Sequence, residues 1–377
     1  MRPFHGMGTL TTAIVGGGVS GLALARGLLR RLRRPSHHLR LYERYDHRRC
    51  QGFGFLVQGD GCRALQRLGI NPLAPGLGLA LSHVQIFLLD GSLVGEHQLT
   101  NTVAMERPAL LQVLSEGLEP TVLRYGEAVE GFITQGKVGN RVLGLQMAGG
   151  GTTPVDLVIG ADGAHSRCRK LIDASPRRSG GLAQVQEIVA CVNHPAMAER
   201  LGSGFIKIMH PKGGLAVGLV PLPSGKLIWF VQFDCHQYTL PERADLHGFA
   251  LDLLQEFPSW LLEVLRHSEP GHLHHWRPLD LDPPTQLVGT NLALIGDAAH
   301  PMLPFTSQGV NLALADAELL AGLLSGPHER LGLPQALRLY EKRRLPMRPP
   351  FVSMGRAMAS DFLGSAERAA HRPPVAT

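Results

Sequence analysis

The chain has 377 residues, 44% of them hydrophobic and 18% charged, a balance that excludes disordered and fibrous classes and supplies apolar material for two domains of ordinary size. The formal net charge of +6 owes much to the arginine-rich stretch 26–49, which has no stacking aromatics or recognised binding module beside it, so no nucleic-acid partner is expected. No apolar run reaches the length of a membrane span, and the start Met1-Arg2-Pro3-Phe4-His5 lacks a signal-peptide core; a cytoplasmic protein without a membrane span is expected.

Residues 11–15 read as a short apolar strand running into Gly16-Gly17-Gly18-Val19-Ser20-Gly21, followed by a helical run over 22–33 that Pro35 stops. Residues 38–42 read as a second strand ending at Glu43, with Arg44 beside it, which makes a βαβ opening. In such a unit Gly16 allows the tight turn, Gly18 lets the backbone approach a pyrophosphate, and Gly21 lets helix and strand pack closely. Glu43 stands about 20 residues beyond the loop, where an acid accepts hydrogen bonds from ribose hydroxyls. With strand, helix and acid all in place, the loop is expected to bind a dinucleotide.

Residues 79–99 alternate apolar and polar side chains around Asp90-Gly91, a hairpin signal. A helical pattern runs from Arg107 to Leu118, and 121–125 and 142–147 read as strands. Residues 155–160 form a buried strand that ends in Ala161-Asp162-Gly163-Ala164, with Arg169 beyond. From 184 to 275 longer β-runs take over, including 215–221 and 227–233 around Pro223-Ser224-Gly225. After Leu292 an apolar strand ends in Gly296-Asp297 and passes through a Pro/Gly loop into a helix over 310–324; more helices reach Leu363, and a Pro-rich tail, 372–377, is expected to fray.

The Gly-Asp segment brings one carboxylate and one helix N-terminus together. Those features suit a flavin dinucleotide, because the carboxylate accepts from a cofactor hydroxyl and the helix start stabilises negative charge on the reduced ring. Alone, the same segment also reads as an ordinary strand-to-helix turn. The five cysteines, Cys50, Cys62, Cys168, Cys191 and Cys235, are scattered without a C-x-x-C pair, against both a disulfide framework and zinc. His272, His274 and His275 lack a carboxylate or cysteine partner, so no metal is expected.

In this order the glycine loop with Glu43, the Asp-Gly motif of 156–169 and the Gly-Asp motif of 296–309 resemble the FAD-dependent aromatic hydroxylases, the single-component flavoprotein monooxygenases typified by para-hydroxybenzoate and salicylate hydroxylases. The resemblance spans most of the chain. It implies an α/β fold: a Rossmann-like FAD-binding domain (1–78, 101–178 and 284–377), a β-sheet-rich substrate domain (79–100 and 179–283) and C-terminal helices. It implies FAD as cofactor, with Gly16, Gly18, Val19, Ser20, Gly21, Glu43 and Arg44 at the adenosine and pyrophosphate, Arg107 near pyrophosphate and ribityl, and Val129 at adenine. Asp162 is implied to serve FAD and the nicotinamide donor, Gly296 and Asp297 the ribityl or pyrophosphate, and Gly309, Val310 and Asn311 the ring. Pro301, Met302, Leu303 and Pro304 would wall its reacting edge. Blander readings stand beside these: Arg107 as a surface helix start, Asp162-Gly163 as a plain turn.

The implied activity is NAD(P)H-driven hydroxylation by O₂ through a flavin C4a-hydroperoxide, the side chains contributing orientation and exclusion of water. The arginine cluster leans towards the 2′-phosphate of NADPH. On the substrate side, strands 215–221 and 227–233 offer Leu215, Val217, Leu219 and Pro221 on one face without arginine, from which a neutral, apolar or polycyclic aromatic substrate is expected. Pro304, Leu219, Pro221, Trp229 and Gln232 are the candidate pocket residues; the sheet residues read equally as plain core, and core is the commoner fate of Trp. His210 and His236 are candidate bases for a phenol, against an exposed structural role. A halogenase is disfavoured because the chain has no Trp-x-Trp-x-Ile-Pro segment; an epoxidase, an antibiotic-modifying or other secondary-metabolite monooxygenase, and a non-catalytic flavin scaffold stay open.

Overall fold

A computed structural model describes residues 10–31, 38–46, 53–136, 141–172, 181–242, 244–325 and 332–371. The βαβ opening is β1 (Thr12–Val15), α1 (Val19–Arg31) and β2 (Leu39–Glu43). Next come β3 (Gly54–Gln58), α2 (Gly59–Arg67), the long hairpin β4 (Gly78–Leu88) and β5 (Leu93–Glu106), α3 (Arg107–Ser115) and β6 (Leu123–Tyr125). A meander, β7 (Val129–Gln135), β8 (Arg141–Met147) and β9 (Thr152–Pro154), leads to β10 (Leu157–Gly160) and α4 (Arg169–Ile172). The middle of the chain holds β11 (Gly181–Leu182), β12 (Val185–Asn193), α5 (Pro195–Leu201), β13 (Gly204–Met209), β14 (Leu215–Pro221), β15 (Lys226–Asp234), α6 (Leu246–Leu253), α7 (Ser259–Arg266), β16 (His274–Trp276) and β17 (Leu279–Asp280). The chain ends with β18 (Leu292–Leu294), α8 (Gly309–Leu323), α9 (Leu333–Arg344), α10 (Pro349–Gly364) and α11 (Ala366–Ala370).

The first sheet is parallel, in the order β18-β10-β1-β2-β6. Strands β1, β10 and β18 are buried along their whole length, as their largely apolar sequences require of a sheet covered on both faces. Helix α1 lies against α8 so closely that a Cβ on Gly27 would stand 2.8 Å from the methyl of Ala321. Asn291 clips the meander to this sheet, accepting from Val142 N and donating to the carbonyls of Val142 and Asp156.

The second sheet runs β16-β12-β15-β14-β13-β4-β5-β3, antiparallel throughout except for the parallel pair β13·β4. It takes in β3 and all of the β4–β5 hairpin, which the expected division at 79 and 100 would split. The residues facing α6 and α7, among them Val217, Leu219, Trp229 and Phe233, form their own buried core. The opposite face looks towards the first sheet and the Gly-Asp segment, and the cavity lies there. Among the described residues no helix is long and apolar enough to cross a membrane.

Candidate functional site

The three motifs meet, and their glycines show how closely. Gly16 takes φ +111°, and a Cβ on it would stand 2.3 Å from the carbonyl oxygen of Ala161, at the Asp-Gly motif. A Cβ on Gly21 would stand 2.0 Å from the Gly16 carbonyl, and one on Gly296 would stand 2.6 Å from the Ser20 hydroxyl. Glu43 closes the loop by accepting from Gly17 N at 2.7 Å and Tyr45 N at 2.9 Å. Arg169 crosses from the second motif to the third, donating to the carbonyls of Asp297 and Ala298.

Against this junction lies a cavity of about 540 Å³. Its cofactor-side wall is Gly18, Val19, Ser20, Ala161, Gly163 and Asp297, with Gly309 and Val310 at the start of α8. Gly18 has nothing within 4 Å of where a Cβ would point, so the backbone there is open to a ligand. Two helix N-termini, of α1 and α8, stand at the wall, each with N–H groups that have no partner within the helix. The exposed Asp297 carboxylate sits beside the first turn of α8, 3.9 Å from the Cβ position of Gly309. An open glycine loop, two helix starts and a placed carboxylate fit a dinucleotide with an anionic pyrophosphate and hydroxylated linkers. Arg107 lines the same space, its guanidinium 5.7 Å from the centre of the Phe55 ring.

Several of the expected residues stand outside the cavity lining. Asp162 is occupied by its own loop, accepting from the Ser166 hydroxyl, Arg167 N and Cys168 N; Ala161 and Gly163 line the cavity in its place. Asn311 is buried away from the cavity, accepting from Gln58 N and donating to the carbonyls of Leu56 and Ser307, so it anchors α8 to β3. Arg44 is exposed over the Tyr45 ring, and Val129 opens the meander outside the cavity lining. Arg26 donates to the carbonyls of Leu68, Val113 and Glu116, and Arg31 pairs with Glu318; both brace helices, while Arg33, Arg34, Arg48 and Arg49 lie outside the described residues.

The substrate-side floor needs a correction of face. Strand period two was right, but Leu219, Pro221 and Trp229 lie off the cavity: Leu219 and Trp229 belong to the core under α6 and α7, where Trp229 Nε1 donates to Ser268 Oγ at 2.7 Å. Their neighbours Val220, Ile228 and Phe230 face the cavity with Gln232, opposite Met302, Leu303 and Pro304; Pro301 is buried outside it. Neither candidate base reaches the site. His210 follows β13 and stands beside Glu256 at 3.5 Å, and His236 is exposed past β15. His272 pairs with Glu269, His275 meets Gln186, and His274 lines the cavity, its pKa lowered by burial and then by Arg107.

Sequence reasoning missed two polar constellations. On the floor, Lys207 from β13 donates to Gln232 Oε1 at 2.6 Å, and Gln232 Nε2 donates to Glu187 Oε1 of β12 at 2.6 Å. Burial brings the Lys207 pKa down to about 8 and lifts Glu187 to about 7. The expectation of a floor without a basic residue came from β14 and β15 alone. Beneath the Gly-Asp loop, the buried Asp316 of α8 accepts from Gly296 N, Arg344 and Arg348 and contacts His300 Nε2 at 3.0 Å. Burial acts to raise its pKa, and Arg348 and Arg344 overcome that, holding it well below the carboxylate range. The signals were a lone Asp within an apolar helix and arginines four residues apart.

The fold and site define a flavin-dinucleotide oxidoreductase. The chain belongs to the family described as FAD binding domain, whose profile matches residues 9–352, and it is an FAD-dependent monooxygenase. It is 29% identical over 363 residues to the aurachin C monooxygenase/isomerase of Stigmatella aurantiaca, covering 91% of this chain and 87% of that one. It is 28% identical over 370 residues to the 3-amino-4-hydroxybenzoate 2-monooxygenase of Streptomyces cremeus, covering 93% and 87%. The fold matches the crystal structure of Klebsiella pneumoniae HpxO complexed with FAD and uric acid with a TM-score of 0.79 at 20% identity, covering 94% of this chain and 89% of that one.

Proposed function

We propose that the protein hydroxylates an aromatic or polycyclic small molecule with NAD(P)H as reductant and O₂ as oxidant. The carrying observation is a cavity that joins an open glycine loop and the start of α8 to an aromatic-lined floor. FAD held there would supply the redox chemistry that side chains lack, hydride acceptance and activation of dioxygen. Gly18, Val19 and Ser20 present backbone to the pyrophosphate, while Glu43 fixes the loop and accepts from the adenosine ribose. Asp297 takes a linker hydroxyl, and the first turn of α8 stabilises negative charge on the ring. Met302, Leu303 and Pro304 exclude water from the reacting edge. The segments of the parallel sheet serve the cofactor, and the second sheet, which takes in β3 and the whole β4–β5 hairpin, serves the substrate.

Relatives named for aurachin C and for 3-amino-4-hydroxybenzoate support a substrate from secondary metabolism. The test is the absorbance spectrum of the purified protein, then NAD(P)H oxidation over a panel of phenols, quinolones and polyketides, with ¹⁸O₂ labelling of product. A yellow protein whose substrate-stimulated turnover places ¹⁸O in product is expected. FAD retained without any stimulated oxidation would leave a flavin scaffold instead.

A further inference from the structure

The floor of the cavity carries a charge where its neighbours are apolar. On β13, Ile206 and Ile208 turn to the α6/α7 core while Phe205 and Lys207 turn to the cavity. The residues paired across from this face are small: Lys207 stands opposite Gly218, and Met209 opposite Ala216, so the lysine stem crosses β14 without obstruction. It reaches Gln232, which is registered opposite both Ala216 and Glu187. The result is a line of three side chains, Lys207, Gln232 and Glu187, each less than a tenth exposed.

Stability does not account for this line. Apolar replacement of a buried ion pair is commonly neutral or favourable, and the neighbouring positions Val189, Ile228 and Val220 are filled by apolar residues on this same face. Nor do Lys207 and Glu187 neutralise each other by contact, because Gln232 stands between them. An ammonium has three N–H donors, and the hydrogen bond to Gln232 is the only direct polar contact of Lys207 among the described residues. The rings of Phe305 and Phe362 lie 5.8 and 5.3 Å from the nitrogen, and hold the cation without supplying an anion. Charged groups facing it are Glu187 of β12 and, across a small recess, Asp361 of α10; Arg107, Asp297 and His274 line the rest of the cavity.

We propose that Lys207 is the specificity-determining residue of the substrate site, binding an oxyanion on the aromatic substrate, a phenolate or a ring carboxylate, with Gln232 and Glu187 as its positioning residues. This rests on the monooxygenase reading of the same cavity and deepens it: the substrate is an ionisable aromatic. The lysine donates to the oxygen and keeps its proton throughout. Gln232 holds the ammonium in place, and the Glu187 carboxylate sustains its charge.

The probes are 4-nitrophenol, benzoate and the non-ionisable 4-nitroanisole, measured on the FAD-loaded protein by equilibrium dialysis. The phenol and phenolate forms of 4-nitrophenol absorb differently, so its ionisation when bound is read directly. The wild type is expected to bind at least one of the two acids about 10- to 100-fold more tightly than 4-nitroanisole, the acid that is preferred identifying the oxyanion. Lys207→Met should bring acids and ether to parity with FAD content unchanged, and Lys207→Arg should restore part of the preference. Glu187→Gln removes the charge that sustains the ammonium, so acid binding should fail at lower pH than in the wild type. Equal binding of acids and ether by the wild type, or a preference that survives Lys207→Met, overturns the proposal. A protein that never carries FAD overturns the monooxygenase reading; an FAD-loaded one that keeps the preference without Lys207 overturns only this inference.

Discussion

At the scale of single residues, the glycine loop separates two requirements that one motif combines. Gly16 has φ +111° and a carbonyl 2.3 Å from any Cβ, so Gly16→Ala must move the Asp-Gly backbone; loss of about 3 kcal/mol or more is expected, read as poor soluble yield and a lowered Tm. Gly18 has an open prospect into the cavity, so Gly18→Val should fold with little loss yet exclude the pyrophosphate, giving colourless protein with a native circular dichroism spectrum. Retained FAD in that variant would make the loop merely structural. Asp297→Ala removes an acceptor without touching the fold, and should weaken FAD binding by about 1.5–3 kcal/mol in a titration against flavin fluorescence. These positions were legible in sequence because a glycine's role is dictated by backbone a few residues away. Asp162 and Asn311 were less so: each has a short polar side chain that can serve its own loop or a neighbouring strand, and which it does depends on segments up to 255 residues distant.

Among elements, β-strand alternation shows that two faces differ and leaves open which one is the core. Leu219 and Trp229 turn towards α6 and α7, elements contributed by residues 246–266, while Val220 and Phe230 turn towards a wall contributed by 302–310. Neither partner can be inferred from the strand itself. The lysine was missed because it comes from β13, a short strand whose significance appears only when β14 places Gly218 opposite it. The same arrangement has an energetic consequence. Glu187 is raised to about 7 by burial, so its contribution to stability declines as pH rises from the ordinary glutamate range through 7. Lys207, lowered to about 8 by burial, is disfavoured as an ammonium in the fold, so its opposition to folding sets in as pH falls below the ordinary lysine value of about 10.5 and is complete below about 8. The double variant Glu187→Leu, Lys207→Met should therefore unfold at the same or higher denaturant concentration near pH 7, by up to about 4 kcal/mol, while losing discrimination between acidic and neutral aromatics. A stability loss of several kcal/mol in that variant would assign the line to the scaffold.

Over the whole molecule, Asp316 joins parts of the chain that sequence leaves far apart. It belongs to α8, accepts from the Gly-Asp loop at Gly296, and receives Arg344 from the end of α9 and Arg348 from the turn before α10. Tyr340 adds a hydrogen bond to the carbonyl of Leu294, so the last helices are bound to the parallel sheet at the point where Asp297 emerges. Removing the carboxylate by Asp316→Ala strands two arginines in the interior and should cost about 3–5 kcal/mol; Asp316→Asn, which keeps the shape, should also lose FAD because the Gly296 loop relaxes. The pH dependence has a defined sign. Arg348 and Arg344 depress the Asp316 pKa against burial, so its stabilisation is complete above the ordinary aspartate value of about 3.9 and is lost as acid reaches the depressed one. His300, beside it, has its pKa lowered by burial and by Arg348; the unfolded chain takes up that proton first, and stability begins to fall as pH drops through about 6.5. FAD stabilises the native state by mass action, about 2.7 kcal/mol at a hundredfold excess over Kd. Thermal scans from pH 7 to 3 should therefore show Tm declining in two stages. Bound FAD should raise Tm throughout and stay bound until the fold itself unfolds, because the native Asp316 carboxylate beneath the loop carrying Asp297 keeps its charge over this range. FAD released above pH 3 from protein that is still folded would uncouple the hub from the cofactor site.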